Sequence, residues 1–146
     1  MQIVNKKAYH EYEIIDEYEA GIVLIGSEIK SIRNGKVNIK ESYIEIRDYE
    51  AFIEGMHISP FENDALRRND PYRRRKLLLS KREIVKLYSK VKTEGFTIVP
   101  LKVYINSRGY AKIKIALAKG KKIYDKRQAQ KEKDDKRKID RYLKNY

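Results

Sequence analysis

The apolar residues of this chain follow two alternating spacings. Across residues 9–24, β-branched and aromatic side chains dominate (Tyr12, Ile14, Ile15, Tyr18, Ile22, Val23), which predicts two short strands broken near Ala20-Gly21. The spacing then lengthens. Ile25, Ile29 and Ile32 fall at i, i+4 and i+7, with Ser27 as N-cap and Gly35 just past the end. A short helix is predicted there, with the isoleucines inward and Lys30 and Arg33 near its polar side. Alternation returns over residues 42–47, where Ile44 and Ile46 share one face and Tyr43, Glu45 and Arg47 the other. Asp48-Tyr49-Glu50 then turns the chain into a partner strand over residues 51–58.

Residues 60–72 form a polar connector with two of the three prolines. Ser80-Lys81-Arg82-Glu83 has the form of a capping box, and Ile84, Leu87, Tyr88 and Val91 behind it make one helical stripe that Gly95 ends. Over residues 97–105, Leu101, Val103 and Ile105 alternate with Lys102 and Tyr104, and Pro100 marks an edge or a bulge. Asn106-Ser107-Arg108-Gly109 connects this strand to another, in which Ile113, Ile115 and Leu117 point inward and Lys112 and Lys114 outward. About six short strands with two or three inserted helices and no βαβ rhythm predict a mainly β protein. An OB-fold-type antiparallel β-barrel suits so short a chain, because closure removes sheet edges.

Composition sharpens this picture at the carboxy end. The apolar pattern stops after Leu117, so the body is expected over residues 1–118 and a basic tail over 119–146. The tail has helical propensities but little to bury, which predicts disorder when free and helix only on a polyanion. Near its end Ile139, Tyr142, Leu143 and Tyr146 share one helical face. A solubilising tail that contacts nothing is the alternative. Within 146 residues, 34 Lys and Arg oppose 21 Asp and Glu, for a net charge of +13. The excess is concentrated. Residues 67–92 hold eleven cations against two acids, and the tail holds twelve against five. Two such blocks predict two contact surfaces for a polyanion.

Enzymatic chemistry finds little support. There is no Cys, so disulfides, thiolate metal sites and a Cys nucleophile are excluded, and a reducing cytoplasm is the expected setting. His10 and His57 have no metal-ligand spacing, the seven glycines form no phosphate-cradling loop, and no serine sits in a nucleophile elbow. No metal or cofactor is expected. A His10–Glu19 acid/base pair for RNA cleavage is conceivable, but both residues also suit a binding face. Twelve Tyr offer rings for stacking on unpaired bases, with ordinary packing as the competing use. No apolar signal region follows the first residues, and no apolar run is long enough to cross a bilayer.

Five blocks in order carry a resemblance: Asn5-Lys6-Lys7-Ala8-Tyr9-His10-Glu11-Tyr12; Glu19-Ala20-Gly21-Ile22; Gly26-Ser27-Glu28-Ile29-Lys30-Ser31-Ile32-Arg33-Asn34-Gly35-Lys36; Asp70-Pro71-Tyr72-Arg73-Arg74-Arg75-Lys76-Leu77-Leu78-Leu79; and Gly120-Lys121-Lys122-Ile123-Tyr124-Asp125-Lys126-Arg127. Together they resemble the SsrA-binding protein family, also called small protein B, the bacterial partners of transfer-messenger RNA. The resemblance implies a non-enzymatic, monomeric OB-fold adaptor that grips the tRNA-like domain of that RNA. It also implies delivery to stalled ribosomes for trans-translation, with the barrel in the place of an anticodon stem. RNA-binding positions are implied at Asn5, Glu19 and Leu78, with Lys7, His10, Lys30, Arg33, Arg73, Arg75 and Lys76 as neighbours. Gly120, Lys121, Lys122, Tyr124, Asp125, Lys126 and Arg127 are implied to engage 16S rRNA at the decoding centre and the mRNA channel, as an induced helix. Arg68-Asn69 departs from the Asn-His that many relatives place before Asp-Pro. The rival from another class is a constitutive ribosomal or general tRNA-binding structural protein.

Overall fold

Long strands with residues of alternating burial, all paired antiparallel, build the molecule. The computed structural model describes residues 2–60 and 70–120. In chain order its elements are β1 (Gln2–Val4), α1 (Lys6–Glu11), β2 (Tyr12–Ile22), α2 (Gly26–Arg33), β3 (Val37–Asn38), β4 (Tyr43–Arg47), β5 (Glu50–Glu54), β6 (His57–Ile58), β7 (Arg75–Leu78), α3 (Lys81–Glu94), β8 (Thr97–Ile105) and β9 (Ala111–Gly120). Seven strands form one sheet in the order β1-β8-β9-β2-β7-β5-β4, and β3 pairs with β6 separately. The sheet curls until β4 packs on β8, giving the expected barrel. Inside lie Ile32, Ile53, Leu77, Leu87, Val103, Ile113 and Ile115, all fully buried or nearly so. A second, smaller cluster lies outside the sheet, where Ala8 of α1 covers Leu101, Ala116 and Ala118.

The structure revises several local expectations. Residues 12–22 are one strand rather than two, because β9 pairs along nearly its whole length and β7 takes over beside Gly21 and Ile22. A bulge between Ile14 and Asp16 accounts for the adjacent isoleucines: Ile14 joins the outer cluster and Ile15 faces solvent. The first helix, α1, has no apolar stripe in the sequence. Helix α2 begins at Gly26, before the expected cap Ser27, because the Glu28 carboxylate reaches back to accept from the Ile25 N–H at 2.9 Å. Ile25 is thereby exposed rather than inward. Pro100 sits at a register shift of β8 against β9, the bulge alternative. The β4–β5 turn is tighter than expected: Asp48 and Tyr49 alone form it, both at positive φ (52° and 61°). Strand β9 continues to Gly120, two residues beyond the expected body boundary.

Candidate nucleic-acid interface

Strand register decides which side chains share the sheet's outer face. Lys102 lies opposite Lys114, which lies opposite Glu19; Tyr104 lies opposite Lys112, which lies opposite Gly21, which lies opposite Leu78. Partners in register point to the same side of a sheet. Helix α1 covers one half of this face through Ala8, Leu101, Ala116 and Ala118. The other half is left open, with Lys102, Tyr104, Lys112, Lys114, Glu19 and Leu78 on it. Leu78 is 55% exposed, an apolar spot among cations. The Tyr104 hydroxyl donates to Glu19, and burial first, then this bond and the carboxylate's charge, push the Tyr104 phenol up to about 12. Glu19 is thus held on the face as an acceptor, and it has no His partner. His10 closes α1 beside Tyr12, and seven strand residues from Tyr12 to Glu19 span about 23 Å at roughly 3.3 Å each. The imagined acid/base pair is not assembled.

Among the described residues, no carboxylate pairs with Lys102, Lys112, Arg33 or Arg108. Lys114 has only a long contact with Glu17, at 3.7 Å. Arg33 of α2 donates to the Gly109 carbonyl at 3.3 Å, which ties the helix to the β8–β9 hairpin beside this face. Lys30 is exposed on the same helix.

The arginine cluster is built differently. Arg75, expected on an RNA-contacting surface, is 0% exposed. Its Nε and Nη2 donate to Glu28 Oε2 at 2.8 and 2.6 Å, its Nη1 to the Met56 carbonyl at 2.6 Å, and its Nη2 also to the Pro71 carbonyl at 3.0 Å. This corrects the sequence reading: Arg75 cannot meet phosphate, because its whole guanidinium is spent inside. Glu28 is equally hidden, 4% exposed, and also accepts from Arg73 at 2.6 Å. Burial would raise the Glu28 carboxyl, but hydrogen bonds from Arg73, the Ile25 N–H and Arg75 outweigh it and hold the group below its ordinary value. Arg74 faces Glu54 at 3.7 Å and stacks over Phe52, while Lys76 pairs with Glu50 at 3.2 Å. Each of the four cations from Arg73 to Lys76 therefore already has an acid.

Asn5 is the second residue the structure turns inward. It is 2% exposed; its Oδ1 accepts from the Ala8 N–H at 3.2 Å, capping α1, and its Nδ2 donates to the Pro100 and Ile39 carbonyls at 3.0 and 3.3 Å. Its side chain holds α1 on the barrel, so any effect on RNA runs through the helix. That helix presents His10 to solvent and Lys7 in a 2.7 Å pair with Glu41. Gly120, expected in the tail, is the last residue of β9 and pairs with Tyr12. Lys121, Lys122, Tyr124, Asp125, Lys126 and Arg127 lie outside the described residues. Among the described residues no group of His, Asp and Glu is placed to hold a metal ion, and no helix is long and apolar enough to cross a membrane.

The sequence reading passed over Lys102, Tyr104, Arg108 and Tyr110 as site residues and recorded Lys112 and Lys114 only as outward. The signal was the Lys–apolar alternation itself, which places three lysines on one side of adjacent strands.

Comparison with known proteins agrees with this architecture. The SmpB protein family model matches residues 2–145. The chain is 57% identical over 142 residues to the SsrA-binding protein of Enterococcus hirae, covering 97% of this chain and 92% of that protein. It is 56% identical over 140 residues to the SsrA-binding protein of Persephonella marina, covering 96% and 91%. A chain in a solved structure described as "tmRNA-SmpB: a journey to the center of the bacterial ribosome" superposes with a TM-score of 0.70 at 48% identity, covering 83% of this chain and 85% of that one.

Proposed function

The chain belongs to the SmpB family, and we propose that it is a non-enzymatic, cytoplasmic RNA-binding adaptor that brings transfer-messenger RNA to stalled ribosomes for trans-translation. The observation that carries the RNA surface is the open half of the outer sheet face, where Lys102, Lys112 and Lys114 surround Glu19, Tyr104 and Leu78. Lysines on an open face attract phosphate, while an acceptor carboxylate and an exposed apolar side chain read shape, sugar hydroxyls and unpaired bases. The body would grip the tRNA-like domain, with α1 (Lys7, His10) and α2 (Lys30, Arg33) flanking the face. The chain beyond Gly120 would engage the decoding centre and the mRNA channel.

A gel shift against the tRNA-like domain, with bulk tRNA as competitor, tests the first half. Deleting residues 121–146 tests the second: RNA affinity should stay near that of the full chain while peptide tagging is lost. Equal loss of both would overturn the division into two surfaces.

A further inference from the structure

Where α2, the β8–β9 hairpin and the edge of the outer face meet, the surface sinks into a cleft of about 460 Å³. That volume lies within the range of small-molecule sites, ~300–1,000 Å³. Its apolar lining includes Gly21, Ile29 and the exposed Leu78, and Tyr110, 64% exposed, adds an aromatic ring. Arg33, Arg108 and Lys112 also line it, and none of the three meets a carboxylate among the described residues. An aromatic ring with three uncompensated cations suits a ligand that is flat, apolar-faced and anionic. We propose that this cleft receives a single unpaired nucleotide of the bound RNA, its base stacked on Tyr110 and its flanking phosphates on Arg33, Arg108 and Lys112. The inference rests on the RNA-adaptor reading above and names the element of the RNA that this end of the face takes.

The hairpin is prepared for the task. Asn106 Oδ1 accepts from the Arg108 and Tyr110 N–H groups at 3.0 and 2.9 Å, and the Asn106 N–H donates to the Tyr110 carbonyl at 2.9 Å. Gly109 takes φ +83°, and its carbonyl receives the Arg33 guanidinium. The backbone that carries Arg108 and Tyr110 is therefore fixed before any ligand arrives, which lowers the ordering cost of binding.

The test uses the full chain and a tRNA-like-domain RNA carrying 2-aminopurine at one unpaired position at a time. With the unaltered protein, fluorescence should be quenched at one position, by stacking. Tyr110→Ala should abolish that quenching and weaken binding about 5- to 150-fold, the range for one base on an aromatic ring, whereas Tyr110→Phe should keep both within about twofold. An abasic nucleotide at the quenched position should weaken the unaltered protein equally and Tyr110→Ala no further. Tight RNA binding that Tyr110→Ala leaves within about twofold overturns the cleft proposal alone. Failure of the unaltered protein to bind the RNA overturns the adaptor reading and this inference with it.

Discussion

The cations at and just before β7 and those of β8 and β9 look alike in the sequence and are placed differently in the fold. Arg73, Arg74, Arg75 and Lys76 are each matched by Glu28, Glu54 or Glu50, and Arg75 is sealed in the barrel. Lys102 and Lys112 stand on an open face, and Arg33 and Arg108 at its edge, with no carboxylate paired to any of them among the described residues. Within the denser run the buried Arg75–Glu28 pair holds the body together, whereas the sparser one is available to a polyanion. Local charge density in a sequence measures neither exposure nor availability; strand pairing determines both.

This contrast can be broken experimentally, and the largest effect should come from the buried pair. Glu28→Gln or Arg75→Ala leaves one ionised or polar partner inside the barrel, and should cost about 3–5 kcal/mol of unfolding free energy in a denaturant titration. Where the variant still folds, its RNA binding should keep the same dependence on salt; a flatter slope would return Arg75 to the phosphate-contacting set. The same pair sets acid sensitivity. Because folding depresses the Glu28 carboxyl below its ordinary 4.5, its contribution is complete above that pH and is lost as pH falls through the lower folded value. Acid unfolding followed by circular dichroism should show Glu28→Gln losing this part of the pH dependence.

Asn5→Ala comes next, at about 2 kcal/mol, because it removes the cap of α1 and two buried bonds to carbonyls. Amide exchange should localise the loss to α1 and the neighbouring β8. The open lysines should behave in the opposite way. Lys102→Ala and Lys112→Ala should leave the melting temperature unchanged and each lower the slope of log affinity against log salt by about one. The smallest effect is expected for Tyr104→Phe, which frees the Glu19 carboxylate. The unaltered protein should lose stability as pH rises from the ordinary tyrosine value of 10 through the folded value of about 12, and the Phe variant should lose less.

Local features were legible in the sequence, and non-local ones were not. The α3 capping box forms both of its bonds, at 3.0 and 3.2 Å, and Gly95 ends the helix at φ +69° because every participant lies within a turn of its partner. Helix α1 escaped notice because six residues carry no stripe, and the Asn5 amide that fixes it bonds to carbonyls 34 and 95 residues away. The burial of Arg75 was not legible for the same reason: its acid, Glu28, comes from α2. The barrel could be anticipated from alternation, but the open half of its outer face depends on where α1 lies and where it stops.

Strand β9 carries Lys112 near one end and Gly120 at the other, eight residues or about 26 Å apart at roughly 3.3 Å per residue. Held on both sides by β2 and β8, it cannot slide, and so it acts as a ruler between the open lysine patch and the point from which the rest of the chain departs. Adding one residue to it would turn the lysines inward, and adding two would move that departure point about 7 Å, so the distance between the two is inherited from the length of one strand.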